Sequence, residues 1–151
     1  MAKNDFTSTL SQLETTLDEY LVKKAPEIPK KWKELIVKVA PWITVVLMVL
    51  AVPAILALVG IGAALSPFAF LAGPVGGLGY VFSLFLTVIA IVLEAMAIPG
   101  LFNKTRKGWQ YVYWATLIGA VQNIISFNLA GLLIGTLLGL YILFQVRSYY
   151  K

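Results

Sequence analysis

The chain has 151 residues, 60% of them hydrophobic and 13% charged, with a formal net charge of +5. A water-soluble domain of this size exposes more charge, so the composition is that of a single integral membrane domain. It holds no cysteine and no histidine, which excludes disulfides, thiolate and Ser–His nucleophiles, iron–sulfur ligation and the commonest zinc ligand.

Residues 6–22, "FTSTLSQLETTLDEYLV", set Phe6, Leu10, Leu13, Leu17 and Leu21 on one face at helical spacing. Asn4 or Asp5 is placed to cap that helix, and Pro26 to stop its continuation. Such a helix either packs beneath the rest of the chain or self-associates through its narrow leucine stripe. Residues 30–40, "KKWKELIVKVA", gather Trp32, Leu35, Ile36 and Val39 on one side, with Lys30, Lys31, Lys33 and Lys38 largely away from it. That pattern suits a helix lying in the headgroup layer, with Pro41 opening the next helix. No short apolar stretch near Met1 reads as a cleavable signal sequence.

Four stretches meet or approach the length of about 20 apolar residues that a crossing helix needs. They are residues 42–62, 79–98, 109–126 and 129–146. Pro53 inside the first removes a backbone hydrogen bond and predicts a kink. The fold class expected is therefore all-α, an integral membrane four-helix bundle (residues 41–151) behind an N-terminal cytoplasmic amphipathic helical segment (residues 1–40).

Charge orients the spans. Seven lysines precede the first span; Lys104, Arg106 and Lys107 lie between the second and third, and Arg147 and Lys151 follow the fourth. The other two connections are uncharged, so both termini are expected on the cytoplasmic side of the cell membrane. Trp32, Trp42 and Trp109 are expected as interfacial anchors, with Tyr149 and Tyr150 in the same aromatic belt. The sequon at Asn103 lies on that cytoplasmic side and is set aside. The apolar connection 63–77, punctuated by Pro67, Gly73, Pro74, Gly76 and Gly77, is expected to be irregular and to pack over the bundle mouth or re-enter it.

Glu94 is the only charged residue between Val39 and Asn103. On the second span Ser83, Thr87, Ala90, Glu94 and Ala97 follow one narrow heptad stripe. The third span carries a row at Thr116, Gly119, Asn123 and Ser126. The two rows predict an internal polar seam in which Ser83, Thr87, Glu94, Thr116 and Asn123 form the candidate polar site. Glu94 would then face the bundle and bond Tyr113, Trp114, Tyr141 or a snorkelling Lys104, Arg106 or Arg147. Its role is either to tie helices together or to carry a proton or cation. In the fourth span Gly131, Gly135 and Gly139 recur every four residues, a helix-packing stripe that serves contact within the monomer or a homo-oligomer equally well.

The segments "IPGLFNKTRKGW" and "YILFQVRSYYK" make spans two to four similar to uncharacterised small four-helix bacterial membrane proteins, a likeness that implies fold and location. In size, span number and lone carboxylate the chain also resembles small multidrug resistance transporters in architecture. Those bind cations and protons at a membrane glutamate, but carry it in the first helix and lack a long N-terminal segment. "GPVGG" at 73–77 is similar to Gly-Pro-rich loops of chromate transporters over those five residues only.

No catalytic constellation, phosphate-binding glycine loop, metal-ligand set or cofactor motif is present in the sequence, since one carboxylate makes no metal site. The function expected is a non-enzymatic membrane scaffold or accessory protein. The alternative is a small oligomeric proton-coupled or cation transporter using Glu94. Membrane lipids are the expected partners; nucleic acid is not, because the basic residues flank apolar runs.

Overall fold

The computed structural model describes the backbone of residues 2–151, and their side chains except at positions 2–7, 51, 58 and 72. Over these residues the chain is all-helical, 89% helix with no strand. Helix α1 (Ala2–Asp18) continues as a π-helical turn, Glu19–Lys24. It ends where Ala25 turns extended ahead of Pro26, as steric clash with a following proline requires. Because α1 is under way at Ala2, Asn4 and Asp5 fall within its first turns and not ahead of them. Their side chains, and that of Phe6 on the leucine stripe, lie outside the described residues. Leu17, Leu21 and Val22 pack against the core, whereas Leu13 remains exposed.

Helix α2 (Lys30–Ala69) runs unbroken for 40 residues through Pro41, Pro53 and Pro67. At ~1.5 Å per residue it is about 60 Å long. The separate headgroup-layer helix expected over 30–40 is therefore the first part of this one helix. A proline removes one hydrogen bond, and the long apolar helix around it carries on. In this part Trp32 and Leu35 of the apolar stripe are exposed, while Val37 and, unlike the other lysines there, Lys33 are buried. Lys33 can turn inward because its ammonium reaches Glu27 Oε1 at 2.7 Å, so the buried cation is paired.

The expected irregular loop over 63–77 is almost wholly helical. A 3₁₀ turn (Phe70–Ala72) leads to Gly73, whose φ of 96° is a conformation that only glycine adopts readily, and α3 (Pro74–Phe102) begins at once. The ring of Phe70 lies where a side chain at Gly77 would stand. After residues 103–105, Thr105 caps α4 (Arg106–Ile125) by accepting a bond from the Gly108 amide at 3.3 Å. The chain then passes through a π-helical segment (Gly131–Leu138), α5 (Gly139–Gln145) and a 3₁₀ turn (Arg147–Tyr149). Its last residue pairs with the α3–α4 turn through Arg106 N–H to Lys151 O (2.7 Å) and Lys151 N–H to Lys104 O (3.0 Å).

Neighbours in sequence are neighbours in space: α2 packs on α3, α3 most extensively on α4, and α4 on the C-terminal helices. Contact between α2 and those last helices is slight, so the array stays open on that side. The core sits at the charged end, around Val37, Ala97, Leu101, Trp109, Tyr113 and Phe144. Away from it the hairpin of α2 and α3 exposes leucine, valine and phenylalanine side chains on its outer faces.

Among the described residues, two helices are long and apolar enough to cross a membrane. Their windows Val52–Ala69 and Pro74–Phe102 have mean hydropathies of 2.0 and 2.5, and only 6% of each is buried inside the chain. The other two expected spans fall on α4, which carries Arg106, Lys107 and several amides, and on the shorter apolar stretch Gly131–Gln145.

Candidate functional site

Glu94 lies among residues that face neighbouring helices, with Ala90 partly buried and Ala97 buried on the same stripe. Its own side chain is nevertheless exposed, and no described residue gives it a hydrogen bond or an ion pair. This corrects the expectation that Glu94 bonds a group inside the bundle. Of the residues named as its partners, Tyr141 donates to Pro26 O at 2.5 Å and Arg106 and Arg147 bind Glu14, while the Tyr113 hydroxyl is buried without a hydrogen-bond partner among the described residues. The reason is packing. Helix α3, which carries Glu94, packs on α2 and α4 and scarcely on the C-terminal helices.

The two polar rows do not form one seam either. Ser83 and Thr87 are joined to α4, but through Gln122, which the sequence pattern does not single out. Its amide donates to Thr87 Oγ1 at 2.6 Å and to Ser83 O at 3.2 Å. Asn123, one position on, faces the opposite neighbour and donates to the buried Thr136 Oγ1 at 3.4 Å. Thr116 bonds its own helix at Val112 O, 2.8 Å away. A step of ~100° per residue places Gln122 and Asn123 on different flanks of α4, so one serves α3 and the other the π-helical segment.

Within the single chain the three glycines do not act as one stripe. A Cβ at Gly131 would run into the Asn123 and Asn128 side chains, and one at Gly139 would meet Thr116 at 3.9 Å, but one at Gly135 would meet nothing within 4 Å. The segment winds with π-helical bonding, which breaks the four-residue repeat; Thr136 takes the buried place and Gly135 is exposed. Among the expected anchors, Trp32 and Trp42 are exposed, and Trp42 makes an edge-on contact with Phe102 at 5.2 Å. Trp109 is the correction: it is fully buried, and its indole N–H donates to Leu143 O at 2.8 Å. Its neighbours Tyr113 and Phe144 complete an aromatic cluster, with ring centroids 5.4 Å from Trp109.

Over that cluster lies the densest group of charges in the molecule's described part. Glu14 Oε1 accepts from Arg106 at 2.9 Å and from Arg147 at 2.5 Å, and Asp18 Oδ1 accepts from Arg147 at 3.1 Å. The guanidinium carbons of Arg106 and Arg147 stand 4.4 and 5.3 Å from the Trp109 ring centroid, within range of cation–π attraction. Beside the group, the buried Gln145 accepts from Ile28 N–H at 3.3 Å and donates to Leu21 O at 2.8 Å, stitching the segment before α2 to α5. The side chains needed for this layer are spread across the whole chain, and no local motif announces it.

Comparison with protein-family models, with curated proteins and with solved structures finds no match to this chain.

Proposed function

We propose that this chain is a non-enzymatic scaffold or accessory protein of the cell membrane. In this reading α2, α3, α4 and the stretch Gly131–Gln145 cross the bilayer, both ends lie on the cytoplasmic side, and the protein works by assembling with a second copy of itself. The apolar outer faces of α2 and α3 support contact with lipid, and the gathering of Arg106, Arg147 and Lys33 at one end supports the orientation. The observation that carries the assembly reading is Glu94, exposed and without a bonding partner among the described residues, in the C-terminal third of an apolar helix. An acid facing hydrocarbon costs up to ~3 kcal/mol near a helix centre, less towards an end, and a hydrogen-bonding partner from another chain offsets that cost. Transport asks for an enclosed polar path to Glu94, and an exposed acid favours assembly over it.

The test is subunit counting in lipid nanodiscs by native mass spectrometry. Wild type is expected as an oligomer, Glu94→Leu as predominantly monomer with unchanged helicity, and Glu94→Gln as an intermediate because its amide still bonds. A wild type that stays monomeric, or a Glu94→Leu chain that assembles as wild type does, overturns the reading.

A further inference from the structure

We propose that Arg106 and Arg147 form a binding site for a phosphate group, and that Glu14 and Asp18 of α1 are its exchangeable intramolecular occupants. The site goes beyond the assembly reading and does not depend on it.

Two fixed guanidiniums converge on one carboxylate oxygen, that of Glu14. Guanidinium forks are suited to oxyanions with several acceptor atoms. Glu14 offers both arginines the same oxygen, whereas a phosphate would offer each its own. The arginines are held by the body of the protein. Arg106 lies over Trp109 and its backbone is tied to Lys151, while Arg147 lies over Trp109 and Phe144. Like charges held this close need an anion between them.

The occupants are held far less firmly. They belong to a helix whose apolar anchorage comes from Leu17 and, just beyond it, Leu21 and Val22. On its preceding turns Ser11, Gln12 and Leu13 are exposed.

An open groove of about 410 Å³ adjoins the pair, lined by Arg106, Arg147, Lys33 and Ser148 together with Asp18 and Glu27. With Glu14 counted, the three cations face three carboxylates; once Glu14 and Asp18 leave, they face Glu27 alone, and that surplus positive charge is what an incoming phosphate meets. The phosphate can come from a lipid headgroup or from a free phosphate compound, and the chemistry recognised is the same. When it binds, the end of α1 is released from the bundle.

The natural absence of cysteine allows two spin labels to be placed cleanly, at Gln12→Cys and Asn103→Cys, both exposed. Their separation is measured by pulsed electron resonance in the full chain. In zwitterionic detergent, inorganic phosphate is titrated against chloride at matched ionic strength. In nanodiscs, phosphatidylcholine alone is compared with a mixture containing phosphatidylglycerol.

The labels are expected to move apart in phosphate, in the anionic nanodiscs, or in both. Release by inorganic phosphate identifies a free compound as sufficient; release in anionic nanodiscs alone identifies a headgroup. In the unlabelled chain, calorimetry is expected to show phosphate, or for a headgroup site the soluble glycerol phosphate, binding about tenfold more tightly to Glu14→Gln/Asp18→Asn, which lacks the competing occupant. Arg106→Gln/Arg147→Gln is expected to lose binding. The carboxylate variant keeps both arginines, so it decides the matter even if the arginine variant fails to fold. The proposal is overturned if the label distance follows ionic strength alone, if neither phosphate nor anionic lipid changes it, or if the carboxylate variant binds no more tightly than wild type.

Discussion

Gly100 and Gly108 meet backbone to backbone where α3 turns into α4: a Cβ on Gly100 would stand 2.5 Å from the Cα of Gly108. The turn of residues 103–105 is short, and only two bare backbones let the helices leave it side by side. Gly100→Ala or Gly108→Ala is therefore expected to destabilise the chain by roughly 1–3 kcal/mol, the usual cost of overpacking. Gly135→Ala is the control, with open space around it and an effect within about 0.5 kcal/mol on the monomer. Denaturant unfolding in detergent measures both, and equal effects at Gly100 and Gly135 would refute the assignment.

Gln122 and Thr87 should behave as a coupled pair. Their 2.6 Å bond lies between two apolar helices, where such bonds contribute modestly. Gln122→Leu and Thr87→Val, singly and together, are expected to yield a coupling energy of about 0.6 kcal/mol in a double-mutant cycle. Asn123→Leu, which faces Thr136, is expected to be additive with Thr87→Val. Coupling between Thr87 and Asn123 instead of Gln122 would mean that α4 is rotated from the position described.

The Glu27–Lys33 pair carries a pH dependence with a definite sign. The hydrogen bond from Lys33, followed by its charge, holds the Glu27 carboxyl below its ordinary value of 4.5. A folded-state value below the unfolded one means the pair stabilises above the ordinary carboxylate range, and the contribution fades as pH falls through the depressed folded value. Glu27→Gln is expected to be less stable than wild type at neutral pH and to converge with it in acid below 4.5. Parallel unfolding curves for the two chains across that acid range would show that the pair contributes nothing.

The proposed topology places the tip at Leu71 and the turn at Lys104 on opposite faces of the bilayer. Single cysteines at these positions, in an otherwise cysteine-free chain, should react with an impermeant maleimide from opposite sides of sealed vesicles. Reaction of both from one side would remove the crossing of α3.

Periodicity and charge placement were enough to read an all-helical chain, the two long apolar helices and the gathering of Lys and Arg near their ends. Each of these is a property of residues close together in sequence, where a helix's repeat decides which side chains share a face. Tertiary structure alone decided which neighbour each face meets. Trp109 stands beside lysines and arginines in the sequence yet is buried, because Leu143, Tyr113 and Phe144 converge on it. Arg106 finds its anion 92 positions away, and Arg147 finds one 129 positions away, distances at which no local pattern links the residues. Glu94 has the stripe of an inward-facing residue, yet its side chain is exposed and has no bonding partner among the described residues. A helical repeat specifies a direction around one axis; whether another helix lies in that direction depends on how the whole chain packs.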